Sequence, residues 1–155
     1  IVPLDGSQVR ELLDDTNGGP GAPAWSPDGS SIDVARLTCA RGRDMPYCAG
    51  DPGFLETVRV ADGTTKRMGN VGPENGSAPV WSADGRRIAY TDSTGLFVIG
   101  ADGTGLVRLF DGDASHGQWS PDGSWLLFRS ELSLWVVPSD GGEPRLVGPY
   151  PGAAW

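Results

Sequence analysis

Apolar residues in this chain come in short alternating runs broken by Gly, Pro, Asp and Ser. Ile32 and Val34, Ile88 and Tyr90, and Leu126 and Phe128 each stand two residues apart. That spacing puts each pair on one face of a β-strand. Each pair lies seven and nine residues after a tryptophan that opens the same five-residue landmark. The landmark reads Trp25-Ser26-Pro27-Asp28-Gly29 and Trp119-Ser120-Pro121-Asp122-Gly123, and with one change Trp81-Ser82-Ala83-Asp84-Gly85. A strand entering a tight turn accounts for it. Pro pre-sets φ, Asp bonds the backbone two residues on, and Gly takes the left-handed conformation. The Trp is large and apolar, suited to sealing the space between two layers.

A second landmark is an apolar strand ending in Asp-Gly, at Asp5-Gly6, Asp62-Gly63, Asp102-Gly103 and Asp140-Gly141. Ile1, Val58, Val98 and Val136 stand four residues before these aspartates, and Arg10, Arg67, Arg108 and Arg145 lie in the short strands that follow. From Trp25 to Trp81 is 56 residues, to Trp119 a further 38, and to Trp155 a further 36. The unit is therefore roughly forty residues, the length of a four-stranded propeller blade. The first complete unit carries one insertion of about 18 residues.

The predicted fold is all-β: a β-propeller of four-stranded antiparallel blades, with three full blades and half-blades at each end. Residues 1–13 read as a half blade around Leu4-Asp5-Gly6-Ser7, and 14–22 as a loop. Blades follow at 23–68, 78–109 and 117–147, with the inserted loop at 38–53. Residues 148–155 read as the entry to a further blade. Propellers close with four to eight blades. The chain is thus expected to pair with a second copy or to be part of a longer propeller, because three blades leave two apolar flanks unmatched.

The 24 Gly and 13 Pro of the 155 residues sit at regular turn positions, which favours many tight turns over disorder. The formal charge of −8 argues against nucleic acid as a partner. No apolar run is long enough to span a membrane. Ile1 lies inside a predicted strand, so the chain is expected to be a mature or trimmed piece whose export signal is lost.

Cys39 and Cys48 both fall in the insertion, eight polar and turn-forming residues apart. A disulfide pinning a loop in an oxidising compartment is the expectation, with two free thiols in a reducing cell as the alternative. Arg41, Arg43 and Tyr47 give the loop a mixed surface suited to a partner, although the loop has an equally plain reading as ornament. The one histidine, His116, precedes Trp119 by three residues and enters the innermost strand of its blade. It is a candidate to bind an anion or a metal or to act as a base; the plainer reading is a rim His bonded to a carbonyl. Asp111 and Asp113, with Ser115, have the oxygen spacing that begins a calcium loop. They lack the later Gly and the distant Glu, so no cofactor is expected and calcium is the weaker alternative. No Gly-x-Ser-x-Gly elbow is present. Trp125 and Trp135 read as core, with a platform for sugar or peptide as the alternative.

Taken together, the Trp-Ser-Pro-Asp-Gly turns at 25–29 and 119–123, their variant at 81–85, and the Asp-Gly turns at Asp62, Asp102 and Asp140 resemble the TolB-type β-propeller repeat. The resemblance covers the chain apart from the insertion. It implies a propeller like those of periplasmic TolB proteins, of prolyl-oligopeptidase-like and tricorn-like proteases, and of many secreted proteins. Ala83 replaces the usual Pro, and the insertion departs from a plain TolB blade. The function expected is a non-catalytic scaffold, periplasmic or at the cell surface, that binds protein or peptide. The alternatives are the propeller domain of a larger hydrolase, gating substrate access, and a carbohydrate or cell-wall binding module.

Overall fold

The computed structural model describes residues 11–13, 20–36, 53–71 and 78–149, and among them there are twelve strands and no helix. They form three four-stranded antiparallel sheets. Blade one is β1 (Pro20–Trp25), β2 (Ser31–Arg36), β3 (Gly53–Arg59) and β4 (Thr65–Val71). Blade two is β5 (Val80–Trp81), β6 (Arg87–Asp92), β7 (Gly95–Gly100) and β8 (Val107–Asp111). Blade three is β9 (Ser115–Trp119), β10 (Trp125–Ser130), β11 (Ser133–Pro138) and β12 (Arg145–Pro149). Each strand pairs with the next in sequence. The first strands of successive blades approach one another, β1 against β5 and β5 against β9. They are the inner strands of a β-propeller segment whose blades fan outward from them.

The register is the same in every blade. Trp25 stands opposite Ile32, Trp81 opposite Ile88 and Trp119 opposite Leu126. Alternation along each second strand then feeds two different junctions. Ile88 and Tyr90 join Leu55, Met68 and Ile99 between blades one and two. Ala89, Leu96 and Val98 join Leu126, Phe128 and Val137 between blades two and three. Blade two is buried on both faces by its neighbours, which is why a single blade is not a stable unit.

The Trp-led turn is built identically three times. The glycine N–H donates to the serine carbonyl at 2.9 Å in each copy, and Gly29, Gly85 and Gly123 have φ of 70°, 68° and 72°. The aspartate accepts from the backbone N–H two residues on, as expected from the sequence. The serine does more than the sequence suggested. The hydroxyls of Ser26, Ser82 and Ser120 donate to Asp28, Asp84 and Asp122 at 2.6–2.7 Å. The same oxygens accept from the backbone N–H five residues on, at 2.9–3.0 Å. The hydrogen bonds of the turn use no backbone N–H at its second position, where proline has none, so Ala83 fits where the other copies have Pro.

Strand limits differ from the sequence reading by a few residues. β1 begins at Pro20, inside the stretch read as a loop, because Pro20 still pairs with Arg36 beyond a register shift. An inner edge strand tolerates the missing proline N–H. β4 and β12 run on to Val71 and Pro149. Of the half blade at 1–13 only residues 11–13 are described, and they carry no strand. The insertion, but for Gly53, and residues 150–155 lie outside the described residues, as do Cys39, Arg41, Arg43, Tyr47 and Cys48.

Candidate functional site

The antiparallel meander sends both kinds of turn, Trp-led and Asp-Gly, to one face of the segment. That face carries Asp28, Asp62, Asp84, Asp102, Asp122 and Asp140. Hydrogen bonds hold five of these carboxyls below the usual carboxylate range. The Ser26 and Ser120 hydroxyls act first on Asp28 and Asp122, taking both to about 2. The Ser82 hydroxyl lowers Asp84, the Thr64 N–H lowers Asp62, and the Thr104 hydroxyl lowers Asp102. The face stays acidic under any physiological condition.

The two blade junctions on this face are not alike. Between blades two and three, Arg87 reaches across from the start of β6. Its Nη1 donates to Asp140 Oδ1 at 2.8 Å and to Ser139 Oγ at 3.1 Å, and its Nη2 donates to the Gly123 carbonyl at 3.0 Å. Its guanidinium lies 4.8 Å from the Trp119 ring centroid. The Trp119 indole N–H closes the same junction by donating to the Val80 carbonyl at 3.0 Å. Between blades one and two, Ser31 occupies the position of Arg87, and a cavity of about 440 Å³ opens between the two Trp-led turns. Its counterpart beside Arg87 measures about 140 Å³. Lys66 reaches the rim of the wider junction, where Nζ donates to the Asp102 carbonyl at 2.5 Å.

Two buried polar atoms at this same junction have no hydrogen-bond partner, Asp33 Oδ2 and Trp81 Nε1. Asp33 takes the place that Ala89 has in blade two, facing the next blade, and is fully buried. Its Oδ1 accepts from the Thr57 hydroxyl at 2.5 Å. Burial outweighs that bond and pushes the carboxyl up to about 6. A buried carboxylate with one oxygen unsatisfied is costly.

The opposite face carries His116, Asp111 and Asp113; Arg41, Arg43 and Tyr47 lie outside the described residues. His116 lies on β9, exposed, with φ of 57°. A register shift against β10 falls there, between the pairs Leu127–Gln118 and Arg129–Ser115. Such a bulge re-aims the side chains it carries. Asp111 is bound away from His116, its Oδ1 accepting from Arg108 Nη2 at 2.5 Å; Arg108 also holds the Thr94 carbonyl. Asp113 is exposed. Among the described residues no group of three or more His, Cys, Asp or Glu side chains is placed to hold a metal ion. The insertion leaves β2 and returns to β3 at this same end, where its root is clamped by a buried ion pair, Arg36 to Glu56 at 3.3 Å.

Of the motif tryptophans, Trp81 and Trp119 pack at blade junctions, but Trp25 is 53% exposed. Its counterparts seal against the inner strand of the preceding blade, and no described strand precedes β1. Trp125 is half-buried beneath Arg145, whose guanidinium is 5.3 Å from its ring centroid. Trp135 is half-buried against Phe110. Sequence reasoning missed Arg87 and Asp33. The signal for Asp33 was present, a charged residue between Ile32 and Val34 in the middle of a strand. The signal for Arg87 was weaker, a basic residue six after Trp81 where the other units have Ser31 and Trp125.

The geometry defines the class, a segment of a β-propeller with two structurally distinct faces. Comparison with known proteins places it beside the TolB-type propellers. No family model matches the chain. It is 36% identical over 92 residues to the Tol-Pal system protein TolB of Anaeromyxobacter dehalogenans, an overlap of 57% of this chain and 18% of that protein. TolB from Acinetobacter baumannii superposes with a TM-score of 0.64 at 19% identity, covering 93% of this chain and 35% of the other. A puromycin hydrolase structure superposes with a TM-score of 0.64 at 21% identity, covering 94% of this chain and 25% of that one. The chain therefore spans a minor part of the length of the proteins it resembles. Among the described residues no helix is long and apolar enough to cross a membrane.

Proposed function

We propose that this propeller segment is a non-catalytic, extracytoplasmic binding scaffold for a protein or peptide, in the manner of a TolB-type protein. The observation that carries the reading is the sequence similarity to a Tol-Pal system TolB together with blades built on the same repeated turn. The face bearing the insertion root and the His116 bulge supplies the contact surface, and the extracytoplasmic compartment rests on the same resemblance and the two-cysteine insertion. Ring closure by a second copy, or by further blades of the same protein, covers the outer flanks, where Leu132, Leu146 and Val147 are more than half exposed.

A photo-crosslinking residue at His116 or Arg43, compared with one at Thr64 on the opposite face, tests the reading in cells. Protein adducts at the first two positions and not at the third are expected. Adducts to glycan alone would overturn it in favour of a carbohydrate module. A second reading, the propeller domain of a larger hydrolase, draws support from the puromycin hydrolase superposition. Turnover of peptide substrates by the intact protein, lost when a separate catalytic domain is removed, would establish that reading instead.

A further inference from the structure

We propose that the cavity between blades one and two is a socket for a basic side chain of a peptide partner, an arginine above all. This chain supplies its own template. At the junction of blades two and three the equivalent space is filled by the guanidinium of Arg87, stacked on Trp119 and bonded to the Gly123 carbonyl. Each element of that cradle has a counterpart one blade earlier. Trp81 stands for Trp119, Gly85 for Gly123 and Ala101 for Ser139, and all three line the open cavity.

The one part not repeated is a guanidinium seated on the tryptophan; Lys66 meets this junction only at its rim, on the Asp102 carbonyl. Ser31, in the position of Arg87, is too short to cross the junction. The cavity is about 440 Å³ against about 140 Å³ where the arginine is present. Asp28 and Asp84 border it as carboxylates; Asp84 is shared with the nearby Arg86 and Arg87, and Asp28 is the carboxylate left for a positive guest. A planar guanidinium suits an aromatic face and a carbonyl better than an ammonium does. The junction also holds the Trp81 indole, whose N–H is buried without a partner and whose resonance reports on what enters beside it. An open groove of about 700 Å³ shares Gly85 and Ala101 with the socket, leaving room for residues flanking the bound side chain. The proposal rests on the reading of this protein as a peptide-binding propeller. It concerns the acidic turn face, whereas the crosslinking at His116 reports on the other face, so either can fail without the other.

The test is a titration of the ¹⁵N-labelled intact protein with the capped tripeptide Ac-Gly-Arg-Gly-NH2, following the Trp81 indole resonance assigned with Trp81→Phe. A saturable shift in the millimolar range is expected. The isosteric neutral peptide carrying citrulline should bind at least about fivefold more weakly, since charge-assisted bonds are about twice as strong as neutral ones. Two variants move the result in opposite directions. Ser31→Arg fills the socket from within and abolishes the shift. Ala101→Ser restores the hydroxyl that Ser139 gives Arg87 and tightens binding by about two- to fivefold. Equal binding of the citrulline peptide, an undiminished shift in folded Ser31→Arg, or no Trp81 shift in the wild type or in Ala101→Ser would each overturn the proposal.

Discussion

Replacing Asp33 by Asn is expected to stabilise the protein at neutral pH, although it changes a fully buried residue. In the folded state the carboxyl is raised from its ordinary 3.8 to about 6, because it is buried between blades one and two. A raised acid binds its proton more tightly folded than unfolded. Its contribution to stability is therefore greatest below about pH 4, declines as pH rises toward about 6, and is a fixed cost above that. Each pKa unit corresponds to about 1.4 kcal/mol, so the full cost of ionising Asp33 is on the order of 3 kcal/mol. Asn keeps an oxygen for the Thr57 hydroxyl but introduces an amide N–H2, whose desolvation returns about 1–2 kcal/mol. A net gain of about 1–2 kcal/mol at about pH 7.5 remains, a rise in Tm of roughly 2–8 °C for a domain of this size. The assay is thermal unfolding of both proteins between about pH 4 and pH 8. The turn aspartates titrate in both and cancel in the difference. At the acid end, where Asp33 is protonated, the Asn variant should be the less stable by about 1 kcal/mol through its amide; the difference should change sign near about pH 5 and reach its full value above about pH 6. A difference independent of pH, or an Asn variant less stable at about pH 7.5, would refute the assignment of a strained carboxylate to this junction.

Three further outcomes follow from the geometry. Trp119→Phe should cost more than Trp81→Phe by about 1 kcal/mol, because only Trp119 Nε1 has an acceptor; denaturant midpoints of the two variants measure it. Gly29→Ala, with open space where its Cβ would sit and φ of +70°, should cost about 1–2 kcal/mol through backbone conformation alone, whereas a loss within error in calorimetry would mean the turn relaxes. The double variant Cys39→Ser, Cys48→Ser should raise proteolytic nicking within residues 38–53 while leaving the unfolding transition of the blades in place; loss of that transition would put the insertion inside the core.

The blade plan was legible because it rests on residue types that few conformations accept. Gly29, Gly85 and Gly123 mark left-handed turns, and the pairs two residues apart mark the buried strand face. Seven of the nine described positions 32, 34, 88, 90, 126, 128, 58, 98 and 136 are buried in the structure, Ile32 and Val136 being half-buried. What the sequence could not display is which blade junction is closed and by what. Arg87 acts on Asp140 and Gly123, residues far along the chain, and a surface-type arginine at a strand start looks like any other. His116 was singled out for its rarity, and its position on an inner strand is as read. Its bulge depends on how β9 registers against β10, which no local pattern encodes. Ser26, Ser82 and Ser120 were visible as part of a repeated motif, but their double duty toward Asp and backbone appears only when the turn is closed.

The triply repeated Trp-led turn has a consequence for how such a chain tolerates change. Each copy fixes its own serine, aspartate and glycine by bonds that never leave the turn and the strand it starts. It therefore acts as a phase marker that restarts the strand register at every blade. A change in length upstream is absorbed before the next marker and is not carried forward as a slipped pairing. That explains how blade one can hold an extra loop between β2 and β3 while Trp81 and Trp119 still meet the same strand partners as Trp25. It also makes the opposite face the place where length and chemistry are free to vary, blade by blade, without renegotiating the fold.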